Sequence, residues 1–238
     1  MDPVLFVIVG IAFVVEAALG FGATLVTVTI GAFFLDLGPL LAAFVPLNLL
    51  MSTILIARAP RAVDVRLLAR TVLPFMALGL PIGLVALRTV DEGALKRVFG
   101  AFVVALALSS LLSRTGARPL SAWRERALLF VGGVVHGAFA TGGPMAVYVI
   151  GRRVDEKGAF RATLSGLWLV LNLVLVGVYV ESGALDARTL QTSGALVLSL
   201  VVGLVVGDVL HRRVPTELFK RLVWILLACG GLALVVRG

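Results

Sequence analysis

Ala127–Ile150 reads ALLFVGGVVHGAFATGGPMAVYVI. It is apolar and long enough to cross a bilayer, which takes about 20 helical residues. Gly142-Gly143-Pro144 interrupts it. Glycine lets a helix unwind without a steric penalty, and proline suits the first turn of a new one. Basic residues stand on both flanks: Arg114, Arg118, Arg124 and Arg126 before, Arg152, Arg153, Lys157 and Arg161 after. Lys and Arg in short loops mark the cytoplasmic side. A plain crossing separates the two basic clusters by a membrane. A segment that dips in, breaks at Gly142-Gly143 and returns leaves both on one side.

The rest of the chain has the same character. Its 238 residues are 60% hydrophobic and 14% charged, with a mean hydropathy of +1.10. Soluble domains carry about 25% charged residues, so neither a water-facing globule nor a disordered chain fits. The first apolar run, Pro3–Leu35, is too long for one span and has Gly20-Phe21-Gly22 near its middle. Further runs cover Pro39–Ala57, Thr71–Leu87, Leu95–Leu112, Ala162–Val180, Leu190–Leu210 and Leu218–Val236. In lipid these must be helices, since they lack the alternation of barrel strands. The net charge of +8 falls mainly in loops, an orientation signal rather than a nucleic-acid footprint. Met1-Asp2-Pro3 has no basic stretch of the kind that opens a cleaved signal peptide.

Two offsets relate the halves of the chain. A shift of 120 carries Ala18, Gly22, Ile30, Gly31 and Ala42 onto Ala138, Gly142, Ile150, Gly151 and Ala162. A shift of 124 carries Gly79, Gly83, Arg88, Val90, Lys96 and Arg97 onto Gly203, Gly207, Arg212, Val214, Lys220 and Arg221. The expected organisation is a first membrane repeat (1–113), a basic cytoplasmic linker (114–126) and a second repeat (127–238). The expected fold is an all-α polytopic membrane protein. Each of its two homologous four-segment repeats opens with a broken or re-entrant segment. One hairpin plus three crossings per half makes the repeats inverted, the plan of many secondary transporters. The Arg88–Arg97 loop, with Asp91 and Glu92, fits this least well. Eight plain spans in a parallel repeat remain the alternative.

The broken segments hold the candidate site. A half-helix that starts inside a membrane presents free N–H groups and a positive dipole end, suited to an anion. Gly20, Gly22 and Ala23 in the first segment, and Gly142, Gly143 and Pro144 in the second, are the expected backbone of that site. Thr24 and Thr141 add hydroxyls, and Asn48 and Asn172 are candidates for the same cavity or for interhelical hydrogen bonds. The competing reading is that the glycines serve close helix packing. Glu16 and His136 occupy equivalent positions, four residues before Gly20 and Ala140. Ionisable groups at that depth are costly, so they need a partner or a purpose. Both change charge by one proton, and proton coupling is the role expected of them. Ser52, Ser165 and Tyr148 are further intramembrane polar residues. Trp168, Trp224 and Tyr179 read as packing aromatics, Asp208 as a solvated helix end, and Arg161 as a positive-inside anchor.

The lone Cys229 excludes an internal disulfide or a CxxC site, and no metal or cofactor is expected. HExxH, GxSxG and Walker A patterns are absent, so an enzyme is not expected.

Glu16-Ala17-Ala18-Leu19-Gly20-Phe21-Gly22-Ala23-Thr24, Gly137-Ala138-Phe139-Ala140-Thr141-Gly142-Gly143-Pro144 and Phe160-Arg161-Ala162-Thr163-Leu164, with the paired Gly79…Gly83 and Gly203…Gly207, resemble the sulfite exporter TauE/SafE family of permeases. The resemblance covers essentially the whole chain. It implies transport of small anions, often sulfur-containing: sulfite, sulfoacetate, other organosulfonates or thiosulfate-like species. Ala23 and Thr24 stand where the family usually has further glycines. The expected function is secondary transport of such an anion at a midplane site in a bacterial inner membrane. An anion channel and a non-transporting scaffold or accessory subunit are the alternatives. The expected partners are a small anionic solute, membrane lipid, protons and a second copy of the chain, with no nucleic acid.

Overall fold

A computed structural model describes residues 3–112, 121–213 and 216–237. The expectations for Met1-Asp2, for Val214 and for the linker up to Leu120 lie outside the described residues. The described residues are helical throughout, with short connections. In chain order the α-helices are α1 (Pro3–Leu19), α2 (Ala23–Gly31), α3 (Leu37–Arg58), α4 (Val65–Leu67), α5 (Leu73–Thr89), α6 (Glu92–Leu112), α7 (Ala122–Phe139), α8 (Gly143–Ile150), α9 (Lys157–Glu181), α10 (Ala187–Arg213) and α11 (Thr216–Arg237). A π-helical turn, Leu68–Val72, joins α4 to α5 into one continuous helix. That helix begins six residues before the apolar run at Thr71, because Arg66 and Arg70 keep their heads in water while their stems continue the helix. The C-terminal part of the expected linker, Ala122–Arg126, is likewise the first turn of α7.

Leu37–Arg58, Val65–Thr89, Lys157–Glu181 and Ala187–Arg213 are long and apolar enough to cross a membrane. Their outer faces carry exposed aliphatics instead of charges: Leu78, Ile82 and Val85 on α5, Leu173 and Val174 on α9, Val201, Val202 and Val205 on α10. A helix that is apolar on its outer face as well as its inner one is dressed for lipid.

Both glycine-rich runs break where the sequence places the interruption. α1 ends with Gly20 at φ 85° and Gly22 at φ 107°, and α7 ends with Ala140 at φ 51°. The left-handed backbone at Gly20 and Ala140 takes an N–H back to the carbonyls of Glu16 and His136. After the second break the chain turns back. A Cβ built on Gly132 would lie 3.1 Å from that of Met145, whereas a straight helix would set the two about 20 Å apart. The second run is therefore a helical hairpin, and α2 packs on α1 in the same way.

The core is a set of tight helix pairs: α5 on α7, α1 on α10, α6 on α11 and α3 on α9. The first two have the same register. A Cβ at Gly79 would sit 2.1 Å from the Phe130 carbonyl oxygen, and one at Gly83 2.0 Å from that of Val134. Across the other pair, a Cβ at Gly203 would sit 2.9 Å from the Gly10 carbonyl oxygen, and one at Gly207 2.6 Å from that of Val14. Small residues spaced by four let backbones meet, and that approach is the main source of helix affinity in lipid. α9 is capped by Glu156, whose carboxylate accepts from the amides of Gly158 and Ala159. Those two donors hold the Glu156 carboxyl below the usual carboxylate range.

Candidate functional site

The two breaks face one another across a narrow cavity lined by Glu16, Gly22, Thr24, Asn48, Ala140, Thr141, Gly143 and Trp168. Six of these were expected from the sequence, and Ala140 and Trp168 are additions. Gly20, Ala23, Gly142, Pro144, His136 and Asn172 do not line it. The cavity is about 10 Å³, the room one water molecule needs.

Each wall has a local cause. The left-handed glycines at 20 and 22 end α1 and start α2, which turns the Ala23 amide toward the Glu16 carboxyl group. Asn48, two residues after Pro46 in α3, donates from Nδ2 to Thr24 Oγ1 at 3.0 Å. That leaves the Thr24 hydroxyl proton free to donate into the cavity. Trp168 of α9 donates from Nε1 to the Gly20 carbonyl at 3.1 Å, tying the first break to the opposite half. The sequence signal for Trp168 lay in the offset of 120, which carries Asn48 onto it.

Burial makes the polar groups expensive to leave idle. Glu16 is 2% exposed, Asn48 4% and Thr141 5%. Among the described residues, Glu16 Oε1 and Asn48 Oδ1 have no hydrogen-bond partner. A buried polar atom without a partner costs about 1–3 kcal/mol. Two such atoms at one cavity mark a place for a polar guest.

His136 stands behind this wall. Its Nδ1 accepts from the Gly142 amide at 3.3 Å, which assigns the ring proton to Nε2. The ring stacks on Trp168 with centroids 5.9 Å apart. His136 thus pins the second break and meets the cavity through Trp168. Asn172 is fully buried in α9, away from the cavity lining, and among the described residues neither of its side-chain polar atoms has a partner.

Below the first break lies a feature the sequence reading missed. Asp208 of α10 is not a solvated end. It pairs with Arg58 of α3 and with Arg161 of α9, the latter at 3.1 Å. Arg161 also donates to the Ala17 carbonyl at 2.8 Å, and His211 Nδ1 lies 2.7 Å from the Ala18 carbonyl. The Arg161 guanidinium and the His211 ring thus meet the free carbonyls at the C-terminus of α1. Arg161 presses on Gly20, where a Cβ would meet its Cγ at 2.9 Å, so it anchors the break as well as the membrane orientation. Arg161 and Asp208 carry no helix signature of their partners, because the pairing joins residues far apart in the chain. At the positions that the two offsets pair with Arg161, Asp208 and His211 stand Leu41, Leu84 and Leu87. One break is thus braced by ions, while leucines stand at the positions that the sequence offsets pair with those residues.

Among the described residues no cluster of metal-ligating side chains occurs. A family model described as sulfite exporter TauE/SafE matches residues 5–234. The chain is also 29% identical over 165 residues to the "Probable inner membrane transporter protein TsaS" of Comamonas testosteroni, covering 68% of this chain and 69% of that one. No solved structure matches it.

Proposed function

Since the chain belongs to the sulfite exporter TauE/SafE family, we propose that it is a secondary permease of the bacterial inner membrane for a small, sulfur-containing oxyanion or organosulfonate. The observation that carries this reading is the cavity between the two breaks, with buried hydroxyls and amides around the lone carboxyl group of Glu16. Family membership and the inner-membrane transporter named above support the class of activity.

The chemistry of the site follows from its charges. The solute is held by the Thr24 and Thr141 hydroxyls and by the amides that open α2 and α8. A carboxylate beside an anion in a low-dielectric site is strongly repulsive. The anion therefore enters when Glu16 carries a proton, and the two move together. His136 tunes this step through its grip on Gly142 and Trp168. An oxyanion is larger than one water, so the breaks must part for it to bind. One repeat moving against the other does this. On the face where the basic loops gather, the gate is the Arg58–Asp208–Arg161 cluster; on the other it is the leucine set of Leu41, Leu84 and Leu87.

The repeats are read as inverted. The offsets of 120 and 124, the shared register of the α5–α7 and α1–α10 pairs, and the hairpin at Gly142 support a two-fold relation. The basic loops support opposite orientations. Cysteines introduced at Asp36 and Asp155, in a chain with Cys229 replaced by serine, test this with a membrane-impermeant thiol reagent. Labelling of the two from opposite sides is expected, and labelling from one side favours the parallel arrangement.

Substrate class is tested by melting the detergent-purified chain with sulfite, sulfoacetate, taurine, sulfate and simple carboxylates. A solute that binds the folded chain raises its melting temperature by mass action. The expected ranking puts sulfite or an organosulfonate first, with the gain lost in Thr24→Val. A panel in which no anion shifts the melt removes the transport reading's main support.

A further inference from the structure

A second, larger cavity lies away from the midplane. It is about 600 Å³ and is lined by Asp64, Arg66, Leu67, Arg70, Thr71 and Arg153. Three guanidinium groups from two distant stretches of chain thus face one space. We propose that this pocket binds a phosphate-class oxyanion, carried on an anionic phospholipid headgroup or free in solution, independently of the transport site.

The local backbone builds the pocket. Asp64 caps α4 by accepting from the Leu67 amide at 2.8 Å, so its carboxylate is already engaged. The π-helical turn Leu68–Val72 then carries Arg70 and Thr71. Such turns widen a helix at a cost, and they concentrate at functional sites. The whole corner is moored to α9: the Asp64 amide donates to Thr163 Oγ1 at 3.0 Å, and Val63 and Leu68 close around Gly166.

The charges are the second argument. Among the described residues Arg66 and Arg70 have no carboxylate within ion-pair distance, whereas Arg153 spends one nitrogen on Glu125 at 2.7 Å. Positive-inside orientation needs basic residues on one side of the membrane. It does not need three of them to converge on one cavity whose lining holds a single carboxylate, Asp64. A guanidinium fork matches two oxygens of a phosphate, and the Thr71 hydroxyl adds a donor. The volume exceeds that of a lone tetrahedral oxyanion, and exposed Val65 beside it is 65% accessible. A headgroup entering from the lipid side has an apolar edge to lie on. Basic pockets between membrane helices on the cytoplasmic side take such headgroups elsewhere.

The test compares the full chain in maltoside detergent with inorganic phosphate, short-chain phosphatidylglycerol and short-chain phosphatidylcholine, reading the melting temperature. Two double variants accompany it, Arg66→Lys with Arg70→Lys and Arg66→Gln with Arg70→Gln. The lysine variant keeps the charge and the membrane orientation and loses the fork. A rise with phosphatidylglycerol that exceeds the phosphatidylcholine rise, is reduced by lysine and abolished by glutamine, establishes the site with a lipid source. The same pattern with inorganic phosphate establishes it with a free oxyanion. No rise with either ligand, or a rise that both variants keep, overturns the proposal. Modification of wild-type Arg66 and Arg70 by phenylglyoxal, read by mass spectrometry, gives a check that needs no variant: the ligand should protect both, and unprotected arginines count against it. Thr24→Val, which disables the midplane cavity, leaves the phosphate-class response intact, so failure here is distinct from failure of the transport reading.

Discussion

Gly83→Ala lowers the melting temperature of the detergent-purified chain by several degrees, whereas Gly38→Ala leaves it unchanged. A methyl group at Gly83 would stand 2.0 Å from the Val134 carbonyl oxygen and 2.6 Å from the Ala138 amide nitrogen. Both are backbone atoms in α7, so no side chain can swing aside. α5 and α7 must separate by more than an ångström. That forfeits the contacts of Gly79 with Phe130 and of Gly133 with Met76 along the same seam. Overpacking a closed interface costs about 1–3 kcal/mol, and a chain of this size loses about 2–4 °C per kcal/mol. Gly38 has nothing within 4 Å of the added atom and serves as the control. Gly207→Ala, in the matching seam of α1 with α10, is expected to fall by a similar amount. An unchanged melt for both seam variants would refute the view that backbone approach holds these pairs.

Glu16→Gln is the second large effect, and it concerns coupling. On the proposed coupling, in which proton and anion enter the cavity together, the wild-type chain in proteoliposomes is expected to accumulate the anion more strongly when the outside is acid. Glutamine has nearly the same shape as protonated glutamic acid and cannot release a proton. The variant is expected to fold and to bind the anion. Its accumulation under a pH gradient falls to the level measured without one. The expected sign follows from the proposed repulsion: an ionised Glu16 would exclude the anion, so acid on the entry side should favour loading. If Glu16→Gln keeps the full response to the gradient, Glu16 is not the coupling group. Retained folding is checked in the same preparation by its melting temperature; among the described residues Glu16 makes no salt bridge whose loss would unfold the chain.

Several parts of the fold were legible before any coordinates. Gly20, Gly22 and the Gly142-Gly143-Pro144 cluster mark the breaks, because local backbone freedom is written in single residues. The all-helical character and the presence of helices long and apolar enough to cross a membrane followed from apolar length. Burial of Glu16 and Thr24 followed from their depth in apolar runs. Less legible were the groups whose role depends on a distant partner. Trp168 read as packing, yet its indole holds the Gly20 carbonyl across 148 positions of sequence. Asp208 read as solvated because His211 and Arg212 stand beside it, while its partners are Arg58 and Arg161. Asn172 read as an equal of Asn48, but the helix offset brings Trp168 to the position facing the cavity.

By itself the sequence determined that this is a helical membrane protein with two interrupted segments, since hydropathy and glycine placement act over a few residues. It also set Gly79 and Gly83 at an offset of 124 from Gly203 and Gly207, without saying why these positions must be glycine. Only the tertiary structure decided that. Gly79 and Gly83 lie against the backbone of α7, and Gly203 and Gly207 against that of α1. Only it decided that the first break is braced by an ion cluster, and that Arg66, Arg70 and Arg153 share a pocket. The reason is range: dihedral preference and hydropathy are properties of neighbours in the chain. Close packing, ion pairing and shared cavities belong to neighbours in space, which the chain reveals only once it has folded.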